Sequence, residues 1–83
     1  MSARIPPRVR LPFGYVVRVL QIADSDMDQV AASADACWDD ESRTILIRRS
    51  LPIKRRRYLL AHELGHAWLD WQHRYLDEGI AQQ

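Results

Sequence analysis

The chain has 83 residues, of which 47% are apolar and 28% charged, and 12 basic side chains stand against 11 acidic ones for a formal net charge of +1. That length supports one domain over 1–83 with a small core, since a short chain buries only about 60–65% of its unfolded surface. A single cysteine, Cys37, excludes an internal disulfide, and no stretch approaches the roughly 20 apolar residues of a membrane span.

Residues 1–12, MSARIPPRVRLP, hold three prolines and three arginines, which predicts an extended arm. The arm has no apolar run of signal-peptide length. With no disulfide either, a reducing, cytoplasmic setting is expected, with no membrane contact. Phe13 to Ile22, FGYVVRVLQI, is dense in β-branched and aromatic residues and predicts a strand. Residues 24–34, DSDMDQVAASA, predict a loop with a short helical turn, because Asp and Ser cap well and Val-Ala-Ala follows.

Ala36-Cys37-Trp38 and Thr44 to Arg48 flank the polar stretch Asp39-Asp40-Glu41-Ser42, a pattern that predicts a β-hairpin. Ser50 stands where an N-cap belongs, with Pro52 in the first helical turn. From there to about Trp71 or Gln72 only Gly65 weakens a helix. At about 100° per residue, Ile53, Leu60, Leu64, Ala67 and Trp71 fall within a wedge of roughly 60°, the expected core stripe. His62 and His66 lie about 40° apart on the same wheel, nearly opposite that stripe, with Glu63 and Asp70 beside them.

The decisive residues are His62-Glu63-Leu64-Gly65-His66. Histidines at i and i+4 stand one turn apart on one helix face, within reach of a single zinc ion. Glu63 then points to the side of the metal where a water would bind, as a general base. The metal would activate that water and polarise a scissile carbonyl. The plain alternative is a surface helix with two ordinary histidines and a solvated glutamate.

Residues 36–69, ACWDDESRTILIRRSLPIKRRRYLLAHELGHAWL, resemble the ImmA/IrrE-type metallopeptidases of the gluzincin group. The likeness lies in the order of parts: a hairpin ending in an Ile-rich strand, a short basic turn, then the helix carrying Leu60 to Ala67. The resemblance implies an α+β, minimal zincin-like fold with a small twisted sheet, an active-site helix and a following helix that supplies an acidic third ligand. It also implies cytoplasmic proteolysis, often of a repressor protein. The sequence departs from that pattern in having an arm and a strand where the family has a helix before the sheet.

The third ligand should come from downstream of His66, where Asp70, His73, Asp77 and Glu78 are the candidates. Asp70 continues the same helix, about 12 Å from His62 along the axis, and is better placed to orient a histidine. A metzincin-type role for His73 needs a chain-reversing glycine at position 69, where Leu69 stands. Glu78 fits best if Tyr75 to Gln82 folds back as a short helix, with Asp77 second. A site without a protein third ligand is the remaining alternative.

Arg48, Arg49, Lys54, Arg55, Arg56 and Arg57 form a basic cluster at the start of the helix. A solvated face is the simpler reading, and nucleic acid or an acidic partner the functional one. Trp38, Trp68 and Trp71 are expected in or near the core, and Cys37 as a small buried residue. The expected fold has about three strands, one long helix across them and a short C-terminal helix. The expected function is zinc-dependent peptide-bond hydrolysis, with one zinc on His62, His66 and Glu78 and the substrate extended along an edge strand, Thr44 to Ile47. The competing expectation is a non-catalytic, regulatory zincin-like protein that binds a partner through its sheet edge and basic cluster.

Overall fold

A computed structural model describes residues 4–75. Part of the expected arm is a strand. Arg8–Leu11 forms β1, which pairs antiparallel with β2, Tyr15–Ile22, from Arg8↔Arg18 to Leu11↔Tyr15. Its Arg-Val-Arg-Leu alternation has the period of a half-buried strand. Pro7 and Pro12 bracket it, and each lacks the N–H that a continuing ladder needs. Pro7 still accepts, its carbonyl taking a 2.9 Å hydrogen bond from the Val19 amide.

A 3-10 turn, Pro12–Gly14, joins the two strands. Phe13 (φ 63°) and Gly14 (φ 73°) both adopt left-handed backbone there. Glycine does so freely, whereas Phe13 pays about 1–2 kcal/mol. The Phe13 ring offsets this by stacking on Trp71, 6.1 Å between centroids at 10°.

Residues 24–34, expected as mostly loop, contain an eight-residue helix α1, Asp24–Ala31. Asp24 and Asp26 in its first turn favour the helix dipole. The expected hairpin is present, with β3, Ala36–Asp39, antiparallel to β4, Thr44–Arg48. The Asp39 carboxylate closes its loop, accepting from the Glu41 amide at 3.1 Å and the Ser42 hydroxyl at 2.8 Å.

β4 also pairs in parallel with β2, from Arg18↔Thr44 to Ile22↔Arg48, so the sheet is mixed and four-stranded, in the order β1-β2-β4-β3. This corrects two expectations. Among the described residues the strand count is four rather than about three, and Thr44 to Ile47 is an internal strand whose backbone is paired on both sides. Among the described residues the sheet edges are β1 and β3.

The long helix is α2, Ile53–Gln72. Its N-cap is Pro52 rather than Ser50, because a residue preceding proline is disfavoured in helical backbone and Leu51 precedes Pro52. The Ser50 hydroxyl instead donates to Asp24 Oδ1 at 2.8 Å. α2 lies across β3 and β4. Leu60, Ala67 and Trp71 pack with Tyr15, Val17, Val19, Ile45, Ile47 and Ile5, and Ile53 and Leu64 border this core, as the stripe predicts. Among the described residues no helix is long and apolar enough to cross a membrane. Apart from Tyr75, the expected C-terminal helix lies outside the described residues.

Candidate metal centre

α2 carries the motif residues on two different faces. His62 and His66 are exposed, on the side turned from the sheet. Their rings meet edge to face, 5.2 Å between centroids at 79°. Two imidazoles bound to one tetrahedral zinc at about 2.0–2.1 Å place their centroids about 5 Å apart, so this pair fits a shared ion.

Glu63 is positioned differently, as its residue is only 8% exposed. The helical wheel sets it between the histidine face and the core. Among the described residues its carboxylate has no hydrogen-bond or ion-pair partner. No fully buried side-chain oxygen there goes without one, so the carboxylate tip meets solvent. A carboxylate held by a buried stem with its oxygens free is suited to taking a proton from water. Cys37 on β3 feels the Glu63 charge, and its thiol pKa is raised, first by burial and then by that carboxylate.

The other candidate ligands separate clearly. Asp70, expected to orient a histidine, faces the core: its Oδ2 accepts from the Tyr15 hydroxyl at 3.1 Å and from Arg74 Nε at 3.4 Å. Burial first, and then the bond to Asp70, pushes the Tyr15 hydroxyl pKa above its ordinary 10.0. α2 continues unbroken past Leu69 to Gln72, which carries His73 about 10 Å along the axis from His66. Glu78 and Asp77 lie outside the described residues. Among the described residues no third His, Cys, Asp or Glu joins the two histidines.

The basic cluster is not a continuous surface. Arg48 is buried and joins β4 to α1, its guanidinium binding the carboxylates of Asp24 (3.3 Å) and Asp28 and the Ala34 carbonyl (2.6 Å). Arg55 pairs with Asp35 at 3.7 Å, and Arg56 donates to the Leu51 carbonyl at 2.8 Å and to Gln21 Oε1. Neither the Tyr15–Asp70 bond nor the Arg48 network was legible locally, since each joins residues far apart in the chain. The tryptophans behave largely as expected: Trp71 is buried, Trp38 borders the core, and Trp68 is 40% exposed and stacks on Trp71 at 4.7 Å. A groove of about 460 Å³ lined by Arg4, Ile5, Gln21, Ile53 and Arg56 lies near the start of α2, away from the histidines.

Neither the curated proteins nor the solved structures gave a significant match to this chain. One family did match, the IrrE N-terminal-like domain of the M78 peptidases, over residues 13–79. The match takes in the sheet from β2 onward and all of α2, including both histidines and Glu63. The chain therefore belongs to the IrrE N-terminal-like family of M78 peptidases, a family of metallopeptidase-type domains that are generally zinc-dependent.

Proposed function

We propose that this domain is a zinc-dependent peptidase in which His62, His66 and Glu78 hold one zinc ion and Glu63 is the general base. The observation that carries the reading is the exposed pair of imidazoles, 5.2 Å between ring centroids, on the same helix as a buried-stem carboxylate whose oxygens have no partner among the described residues. When bound, the ion supplies Lewis acidity at the scissile carbonyl and lowers the pKa of a water.

The chain's own residues do the rest. The α2 backbone holds the two imidazoles one turn apart, so little order is lost when they bind the ion. Glu63 takes the proton of the attacking water and passes it to the departing amine. The substrate is a peptide or protein, a repressor being the substrate the resemblance implies. β3 replaces Thr44 to Ile47 as the strand to hold it. β3 is an edge, α2 packs on it, and an extended peptide can add to its free backbone groups. One free cysteine and no membrane-crossing helix among the described residues agree with a cytoplasmic setting.

The binding-only alternative is weakened by the structure of its basic cluster, because Arg48, Arg55 and Arg56 are already engaged. The test is to incubate the zinc-loaded protein with a diverse peptide mixture and follow new termini by mass spectrometry, with Glu63→Gln in parallel. Cleavage by the parent with none by the variant, at equal zinc content, is the expected result. Equal cleavage by both removes Glu63 from the mechanism.

A further inference from the structure

The sheet has two faces, and α2 covers one. Strand alternation and register place Tyr15, Val17, Val19, Ile45 and Ile47 under α2. The opposite face then carries Arg8 and Arg10 on β1, Val16, Arg18 and Leu20 on β2, and Leu46 on β4. Among the described residues this face is covered only at its far end, by α1, where Met27 is fully buried and Arg48 is tied to Asp24 and Asp28. The molecule is correspondingly thin, with a shortest extent of 15 Å.

The uncovered part has an unusual charge arrangement. Arg8 and Arg18 stand directly opposite each other across β1 and β2, and Arg10 lies two residues along the same strand face. Like charges directly opposite destabilise an antiparallel pair. All three arginines are exposed, and among the described residues none has an ion-pair or hydrogen-bond partner for its guanidinium. The contrast is with Arg48, Arg55 and Arg74, each matched to aspartate. Beside this cationic corner lie Val16 and Leu46, half-buried, and Leu20, 39% exposed.

We propose that this face docks an acidic amphipathic helix of a protein partner. Its apolar side would seat on Val16, Leu20 and Leu46, and its carboxylates would reach Arg8, Arg10 and Arg18. A helix laid on an apolar sheet face is the usual way to cover such a layer. Carboxylates suit the site better than nucleic acid does. The face offers no aromatic ring to stack a base, and Asp39, in the same row as Arg18 and Thr44, would repel a continuous run of phosphates. The surface lies on the opposite side of the sheet from His62 and His66, so the inference stands apart from the peptidase reading.

The test uses a synthetic helical peptide with leucines at i, i+3, i+4 and i+7 flanked by glutamates. A version with lysine in place of glutamate and a duplex DNA oligonucleotide serve as comparisons, all followed by fluorescence anisotropy. The glutamate peptide should bind the intact chain and the lysine peptide should not. The double variant Arg8→Ser/Arg18→Ser should weaken binding about tenfold or more while melting no lower than the parent, because a repulsion is removed. Arg57→Ser, on exposed α2, should leave binding unchanged. If the double variant melts lower, amide shift changes in the parent decide: changes at Val16, Leu20 and Leu46 support the surface, and changes along exposed α2 overturn it. No binding of the glutamate peptide, undiminished binding by a well-folded double variant, or preferred DNA binding lost in that same variant also overturns it.

Discussion

The Tyr15 hydroxyl donates a 3.1 Å hydrogen bond to Asp70 Oδ2, joining the first residue of β2 to the last turns of α2 across 55 positions of sequence. Around that bond Arg43 lies over the Tyr15 ring at 4.3 Å, Tyr75 meets it edge-on at 6.1 Å, and Trp71 donates its indole N–H to the Pro12 carbonyl at 2.9 Å. The C-terminal end of the histidine-bearing helix is therefore fixed to the β1–β2 turn by polar and aromatic contacts together.

Tyr15→Phe should lower stability by about 1 kcal/mol, the net worth of one hydrogen bond. Asp70→Ala should lower it more, by about 1–3 kcal/mol, because the tyrosine hydroxyl stays buried without its acceptor. Neither change should alter zinc affinity, since Asp70 is engaged with Tyr15 and Arg74 rather than with a histidine. Urea denaturation and a zinc competition titration check the two halves. A large loss of zinc affinity in Asp70→Ala would return that carboxylate to the metal site.

Gly65→Ala should raise stability by about 0.5–1 kcal/mol, because glycine in a helix interior costs that much relative to alanine. A Cβ built at Gly65 meets no heavy atom within 4 Å, so the native packing supplies no reason for glycine. Thermal melting tests the gain. If peptide cleavage falls while the melting temperature rises, the open space at Gly65 is used by substrate.

The parts of the fold carried by local periodicity were legible, and those carried by distant pairing were not. The apolar stripe of α2 is set by residues one turn apart, so the wheel placed Leu60, Ala67 and Trp71 inward and the two histidines outward. The hairpin was legible because a polar turn separates two apolar runs. By contrast, β1 was hidden by the prolines that delimit it. The parallel pairing of β2 with β4, which makes Thr44 to Ile47 internal, spans α1 and β3 and leaves no local mark. Arg48 reads in sequence as one of a run of solvated bases, and only the fold brings three aspartates to it. The burial of Glu63 was equally invisible, since its wheel position lies on the boundary between faces.

Stability should fall on acidification through the α1–β4 connection. Hydrogen bonds from Ser50 and then Arg48 hold the Asp24 carboxyl below its ordinary 3.8. A folded-state pKa below the unfolded one gives stability that is present above about 3.8 and is lost as pH falls through the lower folded value. Arg48→Met removes the main cation of this network, so it should lower the melting temperature at pH 7. The gap between parent and variant should narrow toward pH 3. Melting curves across that range decide it, and a constant gap means that the ion pairs contribute nothing to the effect.

His62→Ala and His66→Ala should each abolish stoichiometric zinc binding, because one imidazole on a solvated helix face, even with a carboxylate beside it, leaves the ion short of the three protein ligands a catalytic zinc needs. Metal removal from the parent should lower the melting temperature, as any ligand that binds only the folded chain stabilises it. Glu78→Ala should weaken zinc binding by a large factor, on the proposal that its carboxylate completes the two-histidine pair. A carboxylate leaves the ion a stronger Lewis acid than a thiolate would, which suits hydrolysis. Asp77→Ala is the paired control, of the same chemistry one residue away. Zinc affinities of the four variants, by competition with a chromophoric chelator, rank the ligands directly. Loss in Asp77→Ala with none in Glu78→Ala moves the ligand by one position and leaves the enzyme reading intact. Undiminished zinc in both histidine variants would falsify the site itself, since no other described residues bring metal-binding groups together.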